Sequence, residues 1–158
     1  MAAAVILPVI GLAIDASLLY AVKAKLQAAV DAGALAGARS LNRGMDLASQ
    51  TESARTTALN FFNANFPPSH LGTANRTAAV AVAESSYRTR TVRLDAAVDA
   101  PAYFMRLVGH NSTHLAAYGE SSRRDVNMVL VLDRSSSMSG AMGAMRSAAR
   151  AFVDKFSE

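Results

Sequence analysis

The apolar run at the start of the chain constrains everything after it. From Ala2 to Val22 the sequence reads AAAVILPVIGLAIDASLLYAV, with Asp15 its one charged residue. As a helix rising about 1.5 Å per residue, the run spans roughly 30 Å, the thickness of a bilayer core. Pro8 and Gly11 are compatible with that, since both residue types occur in membrane helices. A carboxylate at the bilayer centre costs about 2.5–3.5 kcal/mol on insertion scales. Asp15 therefore either pairs inside an assembly or sits near the interface, as it would if the apolar span began before Met1. A signal peptide is the rival reading. Against it, no basic segment precedes the run, and the helical spacing continues without a break. The expectation is a transmembrane helix over Ala2–Val22.

The same helix extends through Leu18, Val22, Leu26, Ala29, Val30 and Ala34–Ala38, with Lys23 and Lys25 opening a polar side. Ala29, Gly33 and Gly37 form a small-residue stripe of the kind that lets a second helix approach closely. Any Ala-rich helix produces similar spacing by chance. The stretch LPVIGLAIDASLLYAVKAKLQAAVDAGALAGA resembles the amino-terminal segment of TadE/TadG-like Flp pilus-assembly proteins. The matching residues are Asp15, Tyr20, Leu26, Gln27, Ala29, Asp31, Ala32, Ala34, Leu35 and Ala36. The resemblance implies a single-pass protein of the bacterial inner membrane, its carboxyl-terminal part periplasmic or extracellular. The short basic segment usual before the helix in that family is not in this sequence, which suggests that Met1 is not the natural start.

Gly44 interrupts the pattern. Met45–Phe66 reads as a second helix with Leu47, Thr51, Ala54, Ala58, Phe61 and Phe62 on one face, and Ser49-x-x-Glu52 resembles a capping box. Pro67-Pro68 cannot continue it. Ala78, Val80 and Val82 alternate with smaller residues. Val92, Leu94, Ala96 and Val98 alternate with Thr91, Arg93 and Asp95. These patterns predict two half-buried strands joined by a turn at Glu84–Arg88. Pro101–Val108 reads as a short helix, Thr113–Glu120 as a third strand and Ser121–Arg124 as a polar linker. Val92, Leu94, Ala96 and Val98 are expected to form a core with Phe61, Phe62 and Leu115. This order of elements is also what the TadG-like resemblance implies.

The last part of the chain opens on Asp125–Gly140, DVNMVLVLDRSSSMSG. Val126 and Met128–Leu132 form a short, nearly unbroken apolar run, the pattern of a strand buried on both faces. Ala141–Phe156 follows as an amphipathic helix through Met142, Met145, Ala149, Phe152 and Phe156. The loop between them carries Asp133, Ser135 and Ser137. One carboxylate and two hydroxyls suit a hard cation such as Mg²⁺, and no cysteine or histidine there invites zinc or copper. Asp-x-Ser-x-Ser after such a run resembles the metal-ion-dependent adhesion site of von Willebrand factor A domains. The plainer reading is a Ser-rich helix N-terminus capped by Ser139. In that family a Thr and an Asp from later loops complete the site, so the resemblance implies Mg²⁺ binding only in a complete A domain.

The expected fold class is therefore α+β. A transmembrane helix and its extension cover residues 1–38, and a small helix-plus-antiparallel-strand region covers 39–124. Residues 125–158 are expected to supply the first strand and helix of a truncated α/β, Rossmann-like A domain. The function implied is a membrane-anchored TadG-like pilus-assembly or adhesion protein acting through metal-dependent contact. Its partners would be the membrane and other pilus-assembly proteins or an adhesion partner. Two alternatives stand beside it: a pilin-like subunit packing through its first helix, and an A-domain subunit of a metal-dependent AAA-type complex. The net charge of +4 comes from scattered basic residues without an aromatic platform, so nucleic acid is not an expected partner. No nucleophile elbow, Ser-x-x-Lys or phosphate loop is present, and no enzyme activity is expected. His110 and His114 stand four apart, but Gly109, Asn111 and Ser112 break any helix between them, and both read as solvated loop residues. Asn75-Arg76-Thr77 and Asn111-Ser112-Thr113 fit the glycosylation sequon and read as turns. Without cysteine, no disulfide framework exists.

Overall fold

In the computed structural model, the described residues are 2–43, 46–86, 89–124, 129–133, 135, 137 and 140–156, with side chains described from residue 9 onward except that of residue 85. They form two compact units, Met1–Asp125 and Val126–Glu158. Residues 1–38 and 39–124, expected as an anchor and a separate region, lie together in the first.

The first unit is a mixed α+β layer structure. Helix α1 spans Ala2–Ser40 and α2 spans Leu47–Asn65. Strands β1 (Ala74–Ser86), β2 (Thr89–Pro101) and β3 (Ser112–Arg124) make an antiparallel sheet in the order β1-β2-β3. Val82 stands opposite Val92, Val80 opposite Leu94, and Ala96 opposite Ala117. Val92, Leu94, Ala96, Val98 and Ala100 of the central strand are buried. They meet Val22, Leu26, Ala29 and Val30 of α1 and Ala54, Ala58 and Phe62 of α2 in one core. Each large side chain buried there contributes about 1.5–3 kcal/mol. The other face of the sheet carries Arg93, Asp95 and Tyr118. Arg93 Nη2 bonds Asp95 Oδ1 at 2.8 Å, and the guanidinium lies 4.7 Å from the Tyr118 ring centre.

Phe61 departs from its expected place. It is half exposed, while Phe62 is buried and stacks on Phe66 at 6.2 Å. Adjacent helical residues are about 100° apart, so one of the two must leave the core. Helix α2 is capped by Asp46 rather than entered through Ser49-x-x-Glu52. The Ser49 N–H donates to Asp46 Oδ1 at 2.6 Å, and the Ser49 hydroxyl accepts from the Asp46 N–H. The short helix expected from Pro101 is a single 3-10 turn, Met105–Val108, because Pro101 still belongs to β2.

The membrane span expected over Ala2–Val22 does not hold through its second half. Asp15 and Val22 are fully buried, and Leu18 and Leu19 pack against the core. Their apolar face meets the protein's own sheet, not lipid. Among the described residues, no helix is long and apolar enough to cross a membrane.

The second unit contains helix α3, Met142–Phe156. The expected buried strand before it is not formed at residues 129–132, and the family fold is not seen. Val129 and Val131 are 88% and 86% exposed. A strand buried on both faces needs strands on either side to take its N–H and C=O groups, and no such neighbour is present among the described residues. Val126, Met128 and Ser139 lie outside them.

Candidate functional site at the head of the first helix

Asp15 is the organising residue. Its Oδ1 accepts the Tyr103 N–H at 3.0 Å, and its Oδ2 accepts those of Phe104 and Met105 at 2.9 and 2.7 Å. A carboxylate removed from water needs such donors. Here the backbone of the segment between β2 and β3 supplies three. The ring of Phe104 closes the contact over Gly11, where a Cβ would lie 2.5 Å from a ring carbon. Any side chain at Gly11 would force that ring to shift.

This clamp gathers apolar surface at one end of the unit. Val9, Ile10, Leu12 and Ile14 precede Asp15 on α1, and all are exposed. Tyr103 and Phe104 are exposed in part, and Leu107 and Val108 are 82% and 77% exposed, with Arg106 beside them in water. Apolar side chains grouped in this way mark an interaction surface for a membrane or a protein.

Below the clamp, α1 is fixed along β3. Lys23 Nζ donates to the Ala116 carbonyl, and Gln27 Nε2 donates to the Tyr118 carbonyl at 2.8 Å and to Asp31 Oδ1 at 3.0 Å. These side chains occupy carbonyls of an edge strand that would otherwise be open to another chain. A Cβ at Gly119 would come within 2.8 Å of the Val30 carbonyl, so β3 meets the helix backbone directly.

The small-residue stripe lies in the same interface. Ala29 is buried. A Cβ on Gly33 would stand 2.7 Å from Leu94 Cδ1 and 2.9 Å from the Ala58 carbonyl, and one on Gly37 3.0 Å from the Ala54 carbonyl. Gly33 and Gly37 bring α1 against α2 and β2 of its own chain.

In the second unit, Asp133, Ser135 and Ser137 converge. Asp133 Oδ1 accepts the Ser135 N–H at 2.8 Å, the Ser135 hydroxyl bonds Asp133 Oδ2 at 3.0 Å, and the Ser135 and Ser137 hydroxyls are 2.9 Å apart. The donor chemistry fits part of a Mg²⁺ shell. One carboxylate and two hydroxyls fall short of the roughly six oxygens such an ion takes, and no group of three acidic or imidazole side chains adds to them among the described residues. His114 lies on β3, with Nδ1 2.8 Å from Asp99 Oδ1. Asn75 donates to Asp99 Oδ2 at 2.7 Å.

Residues 1–40 match the family model for putative Flp pilus-assembly TadE/G-like domains. No curated protein and no solved structure matches the chain. The match covers about the first quarter of the chain and carries the description of a pilus-assembly family for that segment. The matched segment contains Asp15, which forms the clamp, Gln27 and Asp31, which meet β3, and Leu26 and Ala29, which are buried in the core. Sequence reasoning found these positions but not their partners. Tyr103, Phe104 and Met105 act through backbone N–H groups, which leave no residue signature. The one available signal was an apolar YFMRLV segment with no core pattern of its own.

Proposed function

We propose that the chain is a membrane-anchored, TadG-like protein of Flp pilus assembly. It would attach through the segment preceding Asp15, with the sheet on the exported side. The observation that carries this reading is the Asp15 clamp. It ends the segment free to enter an apolar phase and sets Leu107 and Val108 beside it, with Arg106 suited to anionic headgroups. The TadE/G-like match over residues 1–40 supports the pilus context. The pilin-like alternative has less support, because Ala29 is buried in the core and Gly33 and Gly37 are already covered by α2 and β2.

The finer part of the proposal is metal-dependent protein contact. Asp133, Ser135 and Ser137 would hold one side of a Mg²⁺ ion whose remaining oxygens come from elsewhere, including a partner's carboxylate. Their convergence within 3.0 Å supports this reading.

Replacing Leu107 and Val108 by Asp in the producing bacterium tests the main reading. Surface pili should be lost while the protein still accumulates in folded form. Normal piliation with the variant would remove the membrane seat from pilus assembly.

A further inference from the structure

Helices α1 and α2 share a groove of about 320 Å³. Ala32 and Ala36, one turn apart on α1, leave room in it. Leu35 of α1 and Phe61 of α2 line it, and each stands about half exposed. The groove also carries charge. Arg39, one turn after Leu35, and Arg43, just past the end of α1, line it too, and no carboxylate does. Elsewhere in the unit, the guanidinium groups of Arg55, Arg90 and Arg93 bond Glu52, Gln50 and Asp95. Among the described residues, no hydrogen bond or ion pair takes up the guanidinium of Arg39 or Arg43. Arg123 adds a third cation at this end of α1, donating to the Arg39 carbonyl at 3.2 Å. Basic residues at a helix C-terminus complement its dipole. That accounts for a cation at Arg39 but not for the two half-exposed apolar side chains beside it.

We propose that this groove docks an acidic amphipathic helix of a partner protein. Its apolar side chains would cover Leu35 and Phe61, and carboxylates one turn further on would meet Arg39 and Arg43. The unpaired arginines select the charge, because a guanidinium takes a carboxylate through two parallel N–H···O bonds. The one-turn step from Leu35 to Arg39 selects the shape. A helix lying along α1 repeats that step in its own ridges, with apolar anchors followed by charged ones. The half-exposed walls select a chain segment over a small amphiphile. A small-molecule pocket encloses most of its ligand, whereas Leu35 and Phe61 stand half in water and are covered together only by something longer. The groove lies roughly 30 Å along α1 from Asp15. The inference is therefore independent of the membrane seat at the head of that helix.

The probe is a fluorescein-labelled helical peptide of about 18 residues, roughly 27 Å long, with Leu and Glu one turn apart along one face. The natural protein should bind it with a Kd of about 10–100 µM, more weakly as salt rises. Arg39→Glu combined with Arg43→Glu should weaken binding roughly tenfold or more. A peptide with Lys in place of Glu should bind that double variant better than it binds the natural protein. Leu35→Ser should weaken binding of the acidic peptide as well. Arg146→Glu combined with Arg150→Glu, in the second unit, changes the net charge equally and should leave binding as it was. All four arginines are exposed, so both double variants should keep the natural circular dichroism spectrum. The docking is overturned by an absence of binding at about 100 µM, or by equal binding of a peptide with Gln in place of Glu. An equal loss on reversing Arg146 and Arg150 also overturns it, since any basic surface would then serve. Tighter binding of dodecanoate than of the peptide would give the groove to a lipid instead.

Discussion

Asp15 Oδ2 accepts the backbone N–H of Met105 at 2.7 Å, joining the head of α1 to a segment ninety residues later. The contact turns one carboxylate in an apolar run into a boundary. The helix face after it packs on the sheet, and before it Val9, Ile10, Leu12 and Ile14 are exposed.

Replacing Asp15 by Asn keeps the shape and removes the charge. The amide offers one acceptor oxygen in place of two and brings its own donors toward the N–H groups of residues 103–105. Hydrogen exchange at those three amides should speed up, while the amides of β2 at Val92 and Leu94 stay protected. The melting temperature should fall by roughly 5–10 °C. Unchanged exchange at residues 103–105 would mean that the carboxylate does not hold them.

The approach of β3 to α1 makes a separate prediction. A methyl group at Gly119 would meet the Val30 carbonyl at 2.8 Å, and backbone cannot move aside as a flexible side chain can. Gly119→Ala should cost about 1–3 kcal/mol, read as a lower urea midpoint with an unchanged slope. A midpoint equal to that of the natural protein would place the helix farther from the strand.

Acid sensitivity should be traceable to Asp99. The Asn75 amide, and after it His114, hold its carboxyl below the ordinary carboxylate value. A folded value below the unfolded one adds stability above pH of about 4, and that stability is lost as pH falls through the folded value. Asn75 sits at φ 50°, so glycine is the substitution that removes the amide without backbone strain. Asn75→Gly should shrink the drop in melting temperature between pH 6 and pH 3. An unchanged drop would assign the acid limb to other carboxylates.

How much of this was legible in the sequence depends on what each residue touches. The alternation of Val92, Leu94, Ala96 and Val98 announced a half-buried strand, and all four are buried. Val22, Leu26 and Val30 announced an apolar helix face but not its cover, because lipid and a sheet select the same side chains. Lys23 and Gln27 were the available clue, since they bond strand carbonyls that a bilayer does not offer. Phe61 and Phe62 could not both face inward, and nothing local chose between them. Asp46 and Ser49 carry a reciprocal cap three residues apart, a spacing that Ser49 and Glu52 share, so the frame was ambiguous by one turn. At residues 129–132 composition favoured a buried strand, but burial depends on neighbours that this stretch does not have among the described residues.

The boundary at Asp15 is most directly tested by labelling single cysteines with a membrane-impermeant maleimide, in membranes that expose the sheet side. Tyr20 is 77% exposed and lies beyond the clamp; Leu12 is exposed ahead of it. Tyr20→Cys should react in intact membranes, whereas Leu12→Cys should react only after detergent is added. Shielding of Tyr20→Cys by the intact membrane, or equal labelling of both before detergent, would contradict a membrane seat that ends at Asp15.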